Sequence, residues 1–400
     1  MASSSSKSKQ AKSSGSKGMD TKTAIVVKSA TMFRVQLVCS VLSQRALVMT
    51  NIREDSERPG LTEAEIAFAK MLAEVTNGTR LSINETATRL SFQPGVPKGG
   101  AHTITVEPSI NMSWIIEGVL PLAPFCKDPL QLTLVGGITD SDEEVGINLL
   151  RAVSIRLLEK FGVYGAAIDC TQRGFPPNGG GAVTFSCPVI RKHLMVPSEF
   201  DNCELKALRI RGLAQSSRVN PQLANRVATK ARSILEEIAA DVFINTDCRS
   251  NRTKDAGNSP GYGLTLWCEL VDPKLAETTH ADTLPIASVV GTSGVYVDEK
   301  DSPEALATRV AHDLVKELKQ RGSVDHFHQS LIILLMANCP EEVVRANIGL
   351  VLSEHAVGTL RVVHQFLGVQ FNITPSKEHH GCILISCVGN GVGNFARKVT

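Results

Sequence analysis

Aromatic residues are scarce, with Phe, Tyr and Trp making up 4% of the chain. Modules that read single-stranded bases by stacking spend many rings on their binding faces, so composition argues against that mode of recognition. An excess of either charge is missing too. The 42 Lys and Arg nearly cancel the 40 Asp and Glu, leaving a formal +2, so any polyanion must be held by a local patch and not by the summed field. The ten cysteines include no CxxC pair, and Cys382 and Cys387 read as two positions on one buried strand, where free cysteine is commonly found. The longest apolar stretch, around residues 331–336, falls far short of the roughly 20 residues needed to span a bilayer. No secretory apolar segment stands at the N-terminus. A reduced intracellular compartment is expected, with thiols in place of disulfides and no membrane partner. His326 and His328 alternate as two ligands on one strand face would, yet no Cys or carboxylate partner stands at metal spacing, and no metal is expected.

What is present is an ordinary globular composition, 42% hydrophobic and 20% charged over 400 residues, enough for two to four structural units by the rough length rule of about 100–200 residues each. Residues 1–22 are mostly Ser, Lys and Gly and are predicted to be a disordered tail, basic through Lys7, Lys9, Lys12 and Lys17. Strands and helices then alternate. Helical periodicity covers 35–42, 63–75, 112–120 and 144–161, and strands are predicted at 47–52, 81–83, 89–93, 103–106, 130–136 and 183–187. This repeated unit is the signature of an α/β or α+β core built from related modules. Between 189 and 288 the texture changes. Asn220 and Pro221 open a helix predicted over 222–239, strands follow at 241–246 and 264–270, and the segment reads as an inserted α/β domain. After Ile286 core-like text resumes with an amphipathic helix at 304–320 and closes on a strand at 382–388.

The most informative segment runs Arg173-Gly174-Phe175-Pro176-Pro177-Asn178-Gly179-Gly180-Gly181. Consecutive glycines permit positive φ and a close backbone approach, so Gly179, Gly180 and Gly181 could turn their amides inward as an anion nest with Arg173 as counter-charge. A tight turn needs the same residues.

This segment resembles the signature of the RNA 3′-terminal phosphate cyclases. Other pieces fall in that family's order: Arg53 with Pro59-Gly60-Leu61, Gln93-Pro94-Gly95 with Gly99-Gly100, Gly136-Gly137-x-Thr139-Asp140, and Ser259-Pro260-Gly261-Tyr262-Gly263-Leu264. Together they cover nearly everything after the tail. Arg209-Ile210-Arg211-Gly212-Leu213-Ala214, Ser217-Arg218-Val219-Asn220-Pro221 and Cys387-Val388-Gly389-x-Gly391 look closer to the cyclase-like branch of eukaryotic ribosome assembly. The resemblance implies an α/β (α+β) fold of three modules like the C-terminal domain of bacterial initiation factor three, with a smaller α/β domain inserted before the third. The divisions expected are 23–188 for the first two modules, 189–288 for the insert and 289–400 for the third. It further implies a non-cyclising factor for pre-rRNA processing and small ribosomal subunit biogenesis. Such a factor acts in the nucleus and nucleolus, within the small-subunit processome. Its implied partners are a ribosome-assembly GTPase, a small nucleolar RNP and pre-rRNA, and it needs no cofactor.

The departures from the enzymes bear on activity. Cyclases carry an early glycine-rich loop with a glutamate against the nucleotide and metal. When Arg34 is matched to that loop's arginine, the residues before it are Val27-Lys28-Ser29-Ala30-Thr31-Met32-Phe33, with neither the glutamate nor a glycine. An Asp-Gln pair expected before an apolar strand reads here as His328-Gln329 or Gln329-Ser330. The nucleophilic histidine of the enzymes does have a counterpart, His355, which is either that nucleophile or a residue at a helix start. An active ATP-dependent cyclase using His355 and a pre-rRNA endonuclease therefore stand as rivals. By the same resemblance Arg34, Arg53 and Arg173 lie near the RNA-end pocket, while Arg209, Arg211, Arg218 and Arg226 crowd the start of the insert. These arginines either grip phosphates or pair with carboxylates on a solvated face.

Overall fold

The computed structural model describes residues 24–197, 200, 205–250, 252–272, 285–296, 302–376 and 381–396; the expected tail, 1–22, lies outside them. Two sheets share one plan. In the first, strands Ile25–Lys28, Leu47–Thr50, Leu90–Gln93 and Arg80–Ile83 lie side by side in that order. The first pair is parallel and the other pairs are antiparallel. The second sheet repeats this with Gly100–Thr105, Leu130–Val135, Ala182–Cys187 and Ala167–Gln172. Each parallel pair is joined through a helix, as parallel pairing requires: Phe33–Ser43 in the first module, Met112–Val119 in the second.

Local sequence explains the helices. Helix Glu63–Val75 opens on a reciprocal cap in which the Thr62 side chain accepts from the Glu65 amide and the Glu65 carboxylate accepts from the Thr62 amide; such a box satisfies two amides that no intrahelical carbonyl can reach. Its second-module counterpart runs from Ile147–Leu149 through a π-helical turn, Leu150–Ser154, into Ile155–Lys160. Helix Phe33–Ser43 is buried along almost its whole length, because it packs between its own sheet and helix Glu354–Leu367 of the last module. The third sheet has one strand fewer, with Val343–Gly349, Cys382–Val388 and Asn372–Pro375 in that order. Its helices are Gln329–Ala337 and Glu354–Leu367. The apolar run at 331–336, which the family pattern puts on a strand, is therefore helical. All nine residues of Gln329–Ala337 are buried, and an apolar run hidden on every side carries no periodicity to separate helix from strand.

The inserted sheet orders Val242–Arg249, Lys206–Ser217, Gly261–Val271 and Ser288–Val295. Helices Gln222–Leu235 and Pro303–Lys319 pack together against it, and Asn220 Oδ1 accepts from the Gln222 amide, 3.0 Å away, at the entry to the first. Strand Ser288–Val295 and helix Pro303–Lys319 thus share the sheet and apolar core of the insert. That core crosses residue 288, where the change of sequence texture places a boundary, because a long antiparallel pairing and a helix–helix contact hold the later segment to the earlier one.

Leu314 is fully buried in this second core. Leu314→Ala is expected to destabilise the chain by about 2–5 kcal/mol. Hydrogen exchange should show the loss in strands Lys206–Ser217 and Gly261–Val271 and not in Val343–Gly349. The reverse pattern would place helix Pro303–Lys319 with the last module.

Candidate functional site

Three modules meet at one small cavity. Arg34 comes from helix Phe33–Ser43, Glu117 from Met112–Val119, Ser330 from Gln329–Ala337 and His355 from Glu354–Leu367, and all four line a space of about 20 Å3. Arg34 Nη1 donates to the Trp114 carbonyl at 2.5 Å and to Glu117 Oε2 at 2.7 Å. Its guanidinium carbon lies 4.5 Å from the Trp114 ring centroid, a cation–π contact, and the other contacts of that ring include an edge-to-face meeting with Phe68. The guanidinium is therefore desolvated, stacked and neutralised from within the chain.

His355 is the second residue of its helix, just inside the Ser353 cap. Its Nδ1 is 3.4 Å from Ser330 Oγ, which in turn accepts from Thr359 Oγ1 at 3.1 Å. Burial pushes the imidazole pKa down, Glu117 pulls it back up and Arg34 adds to the depression. The ring is neutral at pH 7, the form in which an imidazole can attack phosphorus. The structure thus brings Arg34 and His355 to one cavity. A nucleotidyl transfer would also need charge to offset a triphosphate, and here the nearby guanidinium is already paired.

Beside this cavity lies a cleft of about 680 Å3 whose lining includes Arg58, Glu63, Glu65, Asn111, Trp114, Glu143 and Glu144. Burial raises Glu144 to about 7, with Arg34 opposing and Glu117 and Glu143 reinforcing. Carboxylates outnumber cations on its walls. Arg53 sits behind it, with positive φ, donating from Nε to the Gly60 carbonyl at 2.9 Å and pairing with the capping carboxylate of Glu65.

The signature loop serves a different end. Arg173 is 1% exposed; Nη1 donates to Asp140 Oδ2 at 2.6 Å and Nη2 to Asp247 Oδ2 at 2.8 Å. Burial alone would lower the guanidinium pKa, but Asp140 and Asp247 outweigh it and raise it. Asp247, correspondingly, is held below the ordinary carboxylate range against the upward push of burial. Asp140 belongs to the second module and Asp247 to the insert, so Arg173 joins the two. Gln215 of the insert adds a bond from Nε2 to Asp140 Oδ1 at 3.2 Å. The glycines do not form an open nest: the amides of Gly179, Gly180 and Gly181 donate to the carbonyls of Phe175, Gly136 and Gly137 at 3.0, 2.7 and 2.8 Å. Gly180 has φ +77°, and a Cβ there would fall 2.6 Å from the Asn258 side chain, so the turn needs glycine for close packing. The three glycine amides are thus engaged within their own module and both Arg173 Nη atoms at the joint with the insert, which leaves Arg173 Nε, buried, without a hydrogen-bond partner among the described residues.

The remaining arginines stand apart from the cavity. Arg209 pairs with Glu269 and Arg211 with Asp241, the latter through two bonds of 2.7 and 2.8 Å. Arg218, at positive φ, donates to the Gly257 carbonyl, and Arg226 meets Glu304 through two bonds of 2.8 Å. Of the two histidines read as a possible strand pair, His326 meets Glu317 and His328 is buried. His328 Nδ1 lies 2.7 Å from Asp325 Oδ1 and Nε2 lies 2.9 Å from Ser154 Oγ, while the other Asp325 oxygen accepts from the Gly291 amide at 3.0 Å. That chain has the order of a serine hydrolase relay, but its members are at most 2% exposed, so it ties three segments together and no substrate reaches Ser154. Among the described residues, no cluster of three or more His, Cys, Asp or Glu could hold a metal ion, and no helix is long and apolar enough to cross a membrane.

The family model for RNA 3′-terminal phosphate cyclase matches residues 25–373. The chain belongs to that family. It is 36% identical to the probable RNA 3′-terminal phosphate cyclase-like protein of Dictyostelium discoideum, over 93% of this chain and 98% of the relative. It is also 36% identical to the mouse RNA 3′-terminal phosphate cyclase-like protein, over 92% and 95%. The Schizosaccharomyces pombe rRNA processing protein rcl1 is 31% identical over 91% and 95%. Within the family frame, sequence reasoning missed Glu117 and Trp114. The available signal was one carboxylate in an otherwise uncharged helix, Met-Ser-Trp-Ile-Ile-Glu-Gly-Val, since a charge on such a face needs a partner.

The raised Glu144 pKa has a measurable consequence. Its folded pKa of about 7 lies above the ordinary 4.5, so the folded state binds the extra proton and stability falls as pH rises from the lower value through the higher. Glu144→Gln should therefore raise the melting temperature at about pH 8, with the gap to the parent closing near pH 5. An equal gap at both pH values would refute the assignment.

Proposed function

We propose that this chain is a non-cyclising factor of pre-rRNA processing and small ribosomal subunit biogenesis. The observation that carries the reading is its match, along nine-tenths of its length, to a protein named for rRNA processing. The geometry of the junction supports it: the cyclase nucleotide loop has no glutamate or glycine here, Arg34 is neutralised by Glu117, and the cavity beside His355 is about the size of one water. The two sheets of identical strand order fit modules of the type in the C-terminal domain of bacterial initiation factor three. In this reading the chain acts in the nucleolus, in the small-subunit processome, with a ribosome-assembly GTPase and a small nucleolar RNP on pre-rRNA. Its divisions are 23–188, an insert expected over 189–288 whose sheet takes in strand Ser288–Val295, and a last module expected over 289–400. One observation favours the rival cyclase activity, namely the neutral His355 sharing a cavity with Arg34.

Depleting the protein from its own cells should cause uncleaved pre-rRNA to accumulate and mature small-subunit rRNA to fall, with large-subunit rRNA spared. Affinity capture should recover a GTPase and a small nucleolar RNP. An unchanged precursor ladder after depletion would rule the reading out.

A further inference from the structure

Glu117 is the sole charged residue of helix Met112–Val119, and its side chain and that of Arg34 are 18% and 10% exposed. A carboxylate so placed satisfies a guanidinium with the same charge-assisted bond that a phosphate oxygen would make. The residue after it makes the approach possible. A Cβ on Gly118 would lie 2.6 Å from the Phe68 ring and 3.1 Å from Arg34 Cδ, so only glycine lets the helix press Glu117 onto the arginine. The other polar groups on the cavity wall suit an anion, namely the Ser330 hydroxyl and the imidazole of His355, each able to donate a hydrogen bond, and apolar side chains such as Val38, Leu331 and Leu334 complete the wall. Yet about 20 Å3 is left, room for about one water and not for the phosphorus and four oxygens of a phosphate.

We propose that Glu117 is a built-in competitor for a phosphate-binding site on Arg34, so that the free chain is closed to phosphate monoesters and becomes open to them when the Glu117 charge is removed or drawn away. This rests on reading the chain as a non-cyclising member of its family, and it names how the inherited pocket is held shut. The ligand class is a phosphate monoester, either inorganic phosphate or the 3′-phosphate of an RNA end. Trp114 contributes from the same helix, since its ring and its carbonyl hold the guanidinium in the orientation that Glu117 needs.

The test is calorimetric titration of the purified full chain and its Glu117→Gln form with inorganic phosphate, and with a short RNA ending in either a 3′-phosphate or a 3′-hydroxyl. Removing a like charge from an anion's path should tighten phosphate binding by about tenfold or more, and the gain should vanish when Arg34→Met is added. A preference for the 3′-phosphate RNA over both other ligands identifies an RNA end; equal binding of both RNAs, with inorganic phosphate bound, identifies free phosphate. Glu117→Ala serves as a second variant, and melting curves establish that each form is folded. Folded variants that bind no better than the parent, or a gain that survives Arg34→Met, would overturn the proposal. If neither variant folds, the parent decides it: its Arg34 side-chain NMR signal must stay unmoved by inorganic phosphate, and movement overturns the idea. Titration of purified protein is independent of pre-rRNA processing in cells, so a failure here leaves the functional reading to its own experiment.

Discussion

A buried guanidinium is tolerated only when counter-charge is buried with it, and this chain depends on that condition in two places. At Arg173 the carboxylates of Asp140 and Asp247 come from different units, so the ion pair that makes burial possible also fixes the insert against the second module. Removing one member would strand a charge, which typically destabilises by about 3–5 kcal/mol. At Arg34 the counter-charge of Glu117 comes from a neighbouring module and the stacking ring from the same helix. The first case converts a sequence signature into a joint. The second holds a guanidinium between a carboxylate and a ring of one neighbouring helix.

Function follows from what these pairings leave over. The described arginines singled out from the sequence are each engaged by a carboxylate, or in the case of Arg218 by a backbone carbonyl. The walls of the larger cleft are acidic on balance. With these arginines already engaged, little of their positive charge is left to offset a polyphosphate. The buried Ser154–His328–Asp325 chain belongs to the same economy, in which polar groups that could do chemistry are used to lock segments from the second module, the insert and the last module.

How much of this was legible differed by element, for physical reasons. Helix Glu63–Val75 was readable to the residue, because a capping box and a one-sided apolar stripe both mark it. Strand Lys206–Ser217, its first half a charged stretch in sequence, was not: Arg209 and Arg211 sit on it at alternate positions, paired to Glu269 and Asp241, and such pairing depends on partners far along the chain. The pairing that carries the insert's sheet past residue 288 is unreadable for the same reason, since nothing local in Ser288–Val295 announces that it pairs with Gly261–Val271. At the site, family order located Arg34 and His355. What it could not supply was the Glu117 contact, which lies 83 residues from Arg34.

The central claim is that the junction of Arg34, Glu117 and His355 does no nucleotidyl transfer. The most direct measurement is to incubate the purified chain with ATP labelled at the α-phosphate, divalent metal and an RNA 3′-phosphate, and look for label on the protein. The account predicts none, with or without His355→Ala. Label that appears on the parent chain, with release of pyrophosphate, and disappears with His355→Ala would show that the imidazole accepts AMP and would contradict it.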